Sequence, residues 1–148
     1  MSAAAKEQAM NGVKALGLDH VAIAVKDLEK AIAIYRDTLG LELAEIEEVA
    51  DQKVRTAIFG HGLGRLELLC PTSEDSPVAK FLAKRGEGLH HVCLEVTDLD
   101  ASLAALKANG TPLIDETPRI GAGGARIAFV HPKGTAGVLT ELRQGSLR

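Results

Sequence analysis

Tryptophan is absent from this 148-residue chain, and aromatic residues of every kind amount to 3%. Stacking platforms for nucleic-acid bases are therefore not expected. A formal charge of −3 offers no basic footprint in their place. Cysteine is almost as scarce. Cys70 and Cys93 lack zinc-site spacing and each falls in an apolar strand, so both are expected as buried free thiols in a reducing cytosol. Long hydrophobic runs are missing too, and no segment approaches the length of a membrane span. The first sixteen residues, MSAAAKEQAMNGVKAL, lack the compact apolar stretch of a secretory signal. Residues 1–16 thus read as a leader, poorly ordered or a short helix, outside the fold proper of a cytoplasmic chain. What remains has an ordinary globular balance, 46% hydrophobic and 25% charged. It suits a single domain spanning 17–144.

The strongest positive signal is a repeat. "LDHVAIAVKDLEKAIAIY" (18–35) aligns without a gap on "LHHVCLEVTDLDASLAAL" (89–106), an offset of 71 residues. His20 falls on His91, Val21 on Val92, Asp27 on Asp98 and Leu28 on Leu99; later, "RTAIF" (55–59) falls on "RIAFV" (126–130). Each copy opens with a strand (20–25 and 91–96), after which Asp27 or Asp98 stands where a helix N-cap belongs. Leu28, Ile32, Tyr35 and Leu39 mark one face of the first helix; Leu99, Leu103 and Leu106 mark one face of the second. Gly40 and Gly110 end them. Further strands are predicted at about 41–48, 54–59 and 64–70, and again at about 112–116, 125–130 and 137–143. The fold class is therefore α+β, two tandem β-α-β-β-β modules at 17–70 and 88–144. Neither half could bury its apolar face alone, so the two are expected to share one curved, partly closed mixed sheet. The connector 71–87 holds a short helix capped by Ser76, with Pro77 first and Gly86 or Gly88 closing it.

Duplication changes the weight of the histidines. His20 and His91 hold the same place in two copies, and each copy closes with a carboxylate in an apolar strand, Glu67 in "RLELL" and Glu141 in "VLTEL". Period-2 alternation turns each glutamate to the face opposite its neighbours, where an inward carboxylate is costly unless something pairs with it. Two imidazoles and two carboxylates make a donor set for Co²⁺, Mn²⁺, Ni²⁺ or Zn²⁺ rather than for Ca²⁺ or Mg²⁺. His20, Glu67, His91 and Glu141 are thus the candidate metal ligands. His90 aligns with Asp19 and points to the other face, so it reads as a support for His91 or as structural. His61, in "GHGLG", reads as solvated; His131, opening "HPKGTAG", suits a turn or a ligand contact equally.

The paired modules with His and Glu at strand ends resemble the vicinal oxygen chelate superfamily. "LDHVAIAVKDLEKAIAIYRDTLGLEL", "DSPVAKFLAKRGEGLHHVCLEV", "LIDETPRIGAGGARIAFVHPK" and "GVLTEL" resemble its methylmalonyl-CoA epimerase branch in particular, over nearly all of 17–144. The resemblance implies His20, Glu67, His91 and Glu141 as the metal site, although some relatives carry Gln at the position of Glu67. Certain relatives have a glutamate, proposed as a second acid/base, where this chain has Thr56. It further implies an acyl-CoA substrate, a divalent metal with Co²⁺ first among Mn²⁺, Ni²⁺ and Zn²⁺, a homodimer, and no nucleic-acid or membrane partner.

The reaction so implied interconverts the R and S forms of 2-methylmalonyl-CoA through a metal-stabilised enediolate. Inversion needs a proton removed on one face and delivered on the other. Glu141 is the first candidate base and Glu67, or a water, the second. The loop "RIGAGGAR" (119–126) could present backbone N–H groups to an anion or simply turn the chain, and Arg126 and Lys133 are candidate CoA-phosphate contacts. Two other functions compete. One is a glyoxalase I-type lyase using a similar metal; the other is a metal-free binding member of the same fold.

Overall fold

A computed structural model describes residues 13–145. Eight strands form one sheet: β1 (Ala15–Ala24), β2 (Leu43–Val49), β3 (Val54–Phe59), β4 (Arg65–Pro71), β5 (Gly88–Val96), β6 (Arg119–Ile120), β7 (Arg126–Val130) and β8 (Thr140–Gln144). Their order is β2-β3-β4-β1-β5-β8-β7-β6, a palindrome of the two modules. β1 pairs parallel with β4 and β5 parallel with β8; β1 and β5 join the halves antiparallel. Val21 faces Val92, while His20 faces Cys93 and Ala22 faces His91. Residues 71 apart thus exchange partners about the Val21–Val92 pair, and the two-fold relation of the halves runs through it. Glu67 stands beside Ala22, and Glu141 beside Cys93, the repeat-mate of Ala22. The two glutamates are therefore equivalent in space despite being 74 residues apart in sequence. The result is a curled, mixed half-barrel sheet.

Helix α1 (Leu28–Ala33) starts at Asp27, whose carboxylate accepts from Lys30 N; α3 (Leu99–Ala108) starts at Asp98, which accepts from Ala101 N. α2 (Pro77–Arg85) starts at Ser76, whose hydroxyl accepts from Val78 N, and ends at Gly86 with φ 78°. α1 lays Leu28 and Ile32 on Ala57, Phe59 and Leu68. α3 lays Leu99 and Leu103 on Ala128, Val130 and Leu142. Strand alternation then sends His20, Glu67, His91 and Glu141 to the opposite, concave face. On that face α2 packs Val78 and Leu82 over Ala22, Ala24 and Leu69, closing one end of the trough.

Three expectations need correction. No strand forms over 112–116: Leu113 makes an isolated bridge to Val130, and the edge strand is β6 at 119–120. Pro112 and Pro118 lack the N–H a ladder needs. Asp115 replaces part of that ladder, its carboxylate accepting from Phe129 N at 2.8 Å. Leu39 does not extend the buried face of the first helix, because α1 continues as a π-turn over Ile34–Thr38 and leaves Leu39 59% exposed. The wider turn rotates the stripe out of phase. Finally, Ala15 and Leu16 belong to β1, and Val13 packs against the core under α3. Residues 13–16 thus do not belong to the leader expected at 1–16, and the rest of that expectation, residues 1–12, lies outside the described residues.

Candidate metal centre

His20 Nε2 and His91 Nε2 lie 3.3 Å apart, and each is 3.3 Å from Glu141 Oε1. Such an equilateral triangle of donors is what bonds of about 2.1 Å to one ion require, since they set neighbouring ligands roughly 3.0–3.4 Å apart. All three residues are buried. The other ring nitrogens fix the tautomers. His20 Nδ1 is 2.7 Å from Asp19 Oδ2 and 2.9 Å from Glu67 Oε2, so its proton belongs there and the Nε2 lone pair faces the triangle. His91 Nδ1 is 2.8 Å from His90 Nδ1. Burial and the neighbouring His91 pull His90 down to about 4, so His90 is neutral and accepts the His91 Nδ1 proton. Of the adjacent pair, His91 therefore faces the cluster and His90 holds it, its ring packed edge-on against Phe81 at 4.9 Å.

Glu67 lines the same space as His20, His91 and Glu141 but approaches from behind, with Oε2 on His20 Nδ1 and 3.4 Å from Arg65 Nη1. Burial alone would lower His20, yet hydrogen bonds to Asp19, Glu141 and Glu67 carry it from 6.5 up to about 11. Burial would raise Glu141, but His20 and His91 hold it well below the usual carboxylate range. Below the cluster Arg65 pairs with Asp19, and Arg143 Nη1 lies 2.8 Å from Glu95 Oε2. Four buried carboxylates, Asp19, Glu67, Glu95 and Glu141, thus meet two buried guanidinium groups, Arg65 and Arg143. With neutral imidazoles the balance is two negative charges, the amount one divalent cation neutralises. The donor spacing and this charge both fit such an ion.

These supporting ions escape a reading of histidines and glutamates alone. Their trace is nonetheless in the sequence as "RLE" (65–67) and "ELR" (141–143), arginine two residues from glutamate in each closing strand. Asp51 and Gln52 were also missed. The 3-10 turn at Ala50–Gln52 brings Gln52 beside His20 and Asp51 to a cavity of about 180 Å³ that His91 also lines. Thr56, fully buried, sits on the wall of the cluster and offers no basic group. Gly123 N in the 119–126 loop already serves an anion, donating to both oxygens of Glu47 at 3.0 and 2.9 Å. Arg126 is taken by Asp100 on α3 at 2.9 and 3.0 Å. His131 accepts from Lys133 N at 3.0 Å and caps a turn, and His61 is exposed. Both cysteines are free, Cys93 buried and Cys70 only half-buried. Cys93 has a donor within 4.8 Å of those of Asp19 and His20, but burial pushes its thiol far up and keeps it protonated.

The sequence profile of the Glyoxalase/Bleomycin resistance protein/Dioxygenase superfamily matches residues 19–129, and the chain belongs to that superfamily. It is 43% identical over 129 residues to the ethylmalonyl-CoA/methylmalonyl-CoA epimerase of Cereibacter sphaeroides, covering 86% of this chain and 96% of that one. Against the mitochondrial methylmalonyl-CoA epimerase of Homo sapiens the identity is 41% over 140 residues, covering 93% and 80%. Among solved structures, a singly substituted form of the methylmalonyl-CoA epimerase of Streptomyces coelicolor, in complex with 2-nitronate-propionyl-CoA, matches with a TM-score of 0.85. Its identity is 40%, over 90% of this chain and 96% of that one.

Proposed function

We propose that the chain is a methylmalonyl-CoA epimerase, interconverting the R and S forms of 2-methylmalonyl-CoA at C2. The observation that carries this is the buried His20–His91–Glu141 triangle in a chain similar over its length to epimerases of that substrate. The C2 hydrogen of the substrate lies between a thioester carbonyl and a carboxylate. Held by His20, His91 and Glu141 with Glu67 beside them, a divalent cation, Co²⁺ first among Mn²⁺, Ni²⁺ and Zn²⁺, supplies Lewis acidity toward those oxygens. Glu141 takes the C2 proton. The electron pair left behind spreads over the two carbonyl groups, and a proton returned from the other face completes the inversion. Glu67, from the opposite module, is one donor for that face. Asp51 is the other: it lines the cavity at 3.2 Å from Arg119 Nη1 and is free of the ligand cluster.

Two copies in the cytoplasm complete the proposal. Leu16, Leu18 and Leu63, 59%, 41% and 42% exposed, support pairing, and sedimentation tests it. Among the described residues no helix is long and apolar enough to cross a membrane. The reaction is tested by proton NMR of 2-methylmalonyl-CoA in D₂O with Co²⁺-loaded protein. Loss of the C2 proton together with loss of stereochemical purity is expected; an unchanged C2 signal refutes the epimerase. Methylglyoxal with glutathione is expected to yield no thioester under the same conditions.

A further inference from the structure

The antiparallel β1–β5 ladder that joins the modules slips twice where the histidine ligands stand. Leu18 faces Leu94 and His20 faces Cys93, so Asp19 is an extra residue on β1. Ala22 faces His91 and Ile23 faces Leu89, so His90 is an extra residue on β5. Asp19 and His90 are 71 residues apart, the separation of His20 and His91 themselves. Each half therefore carries a β-bulge immediately ahead of its histidine. Strict alternation turns consecutive side chains to opposite faces, and a bulge re-aims them. Asp19 thereby reaches His20 Nδ1, with Oδ2 at 2.7 Å, as His90 reaches His91 Nδ1 at 2.8 Å. The two supports differ in chemistry. A buried carboxylate accepts more strongly than a neutral imidazole, which makes His20 the stronger ligand of the pair. Glu67 Oε2 also approaches His20 Nδ1, at 2.9 Å, but from the neighbouring strand β4 and on a longer side chain. Asp19 is held more firmly. Arg65 Nη2 donates to the same Oδ2 at 2.5 Å, and Arg65 Nε is itself tied to Gly62 O at 2.9 Å. Arg143, from the second module, lies 3.9 Å from the other oxygen of Asp19.

We propose that Asp19 is a positioning residue for the metal centre: set at its bulge and clamped by Arg65, it fixes the ring and tautomer of His20, so that the ring keeps its orientation without Glu67. The proposal rests on the divalent cation proposed above and not on the substrate. Its test is Co²⁺ binding to wild type, Asp19→Asn and Asp19→Ala, read by competition with a chromophoric chelator and by the visible absorption of the bound ion. Asn keeps an oxygen for His20 and Arg65 but loses the charge, whereas Ala removes the acceptor as well. Affinity is expected to fall by about 10- to 100-fold in Asp19→Ala and by less in Asp19→Asn, with the absorption shifted in the same order. Equal affinity and an unchanged spectrum in all three overturn the proposal. If Asp19→Ala lacks a cooperative thermal transition, Asp19→Asn against wild type decides in the same terms. Proton NMR of the Zn²⁺-loaded protein tells Asp19 from Glu67. The His20 Nδ1–H resonance is expected to move in Asp19→Asn and to hold its place in Glu67→Gln. The reverse pattern assigns the support to Glu67 and overturns the proposal. Wild type that binds no Co²⁺ refutes the centre and the role of Asp19 with it. Proteins that bind Co²⁺ in the expected rank order yet epimerise nothing support Asp19 and refute only the reaction.

Discussion

His90 shows how a residue beside a ligand acts through a proton rather than through the ion. Held neutral by burial and by its neighbour, it accepts at 2.8 Å from His91 and so keeps the Nε2 lone pair of His91 on the cluster. Replacing His90 with Ala frees the His91 ring to rotate and change tautomer. Metal affinity is expected to fall by about 10- to 100-fold, read by competition with a chromophoric chelator, while His90→Gln, which keeps an acceptor, recovers part of it. Glu141 carries a different burden. Glu141→Gln retains a coordinating carbonyl oxygen but loses the base, so turnover is expected to drop by about 10² to 10⁴ with most metal kept. Parallel loss of metal and activity, restored by excess Co²⁺, would leave Glu141 a ligand only. Deuterium wash-in at C2 then tells Glu67→Gln from Asp51→Asn. The variant lacking the second base is expected to exchange one stereoisomer while inverting neither. At this scale the histidine pair was legible, because duplication made each the witness of the other. Asp19 and Glu95 were not. Their partners Arg65 and Arg143 lie across strands, 46 and 48 residues away, and only the sheet register brings them together.

The elements divide by how local their causes are. Both N-caps were readable because an Asp three residues ahead of an amide is a short-range device, and both form at 3.0 Å. Asp27→Ala and Asp98→Ala are each expected to cost about 1 kcal/mol in urea unfolding, with the slope of the transition unchanged. The π-turn after α1 was hidden, since a periodicity of apolar residues cannot show where a helix widens. Leu39 fits a 3.6-residue stripe in sequence, yet Leu39 N bonds to Ile34 O, five residues back. The 112–116 segment failed for a related reason. Its Leu and Ile satisfy a strand pattern, while Ile114 N and Asp115 N both turn to Phe129 O and the Asp115 carboxylate takes the Phe129 amide. Side-chain substitution for a ladder leaves no mark in hydrophobic pattern. α2 was legible from Ser76-Pro77 and Gly86, but its place on the concave face was not. That placement makes a connector into a wall of the site.

Across the whole molecule, the two modules meet at one buried charge excess. β1 and β4 supply His20 and Glu67, β5 and β8 supply His91 and Glu141, and the line of symmetry passes through Val21 and Val92 between them. Without an ion, the carboxylates around His20 recruit a proton, which is why its pKa rises from 6.5 to about 11. The folded value lies above the unfolded one. The stabilisation it brings is thus fully present below 6.5 and lost as pH rises through 11. Metal-free protein is accordingly expected to lose thermal stability steadily from near neutrality into that alkaline range. A divalent cation takes the place of the proton, so metal-loaded protein should not share that decline. Binding must then release close to one proton from His20. Calorimetry of Co²⁺ binding in two buffers of different ionisation enthalpy measures that number directly. The apparent affinity should also climb by about tenfold per pH unit between roughly pH 7.5 and 9, since one proton is displaced per ion. A flat pH dependence with no proton released would mean that His20 is already neutral without metal. The two halves would then be joined by the β1–β5 ladder and the Arg143–Asp19 contact at 3.9 Å rather than by the shared centre.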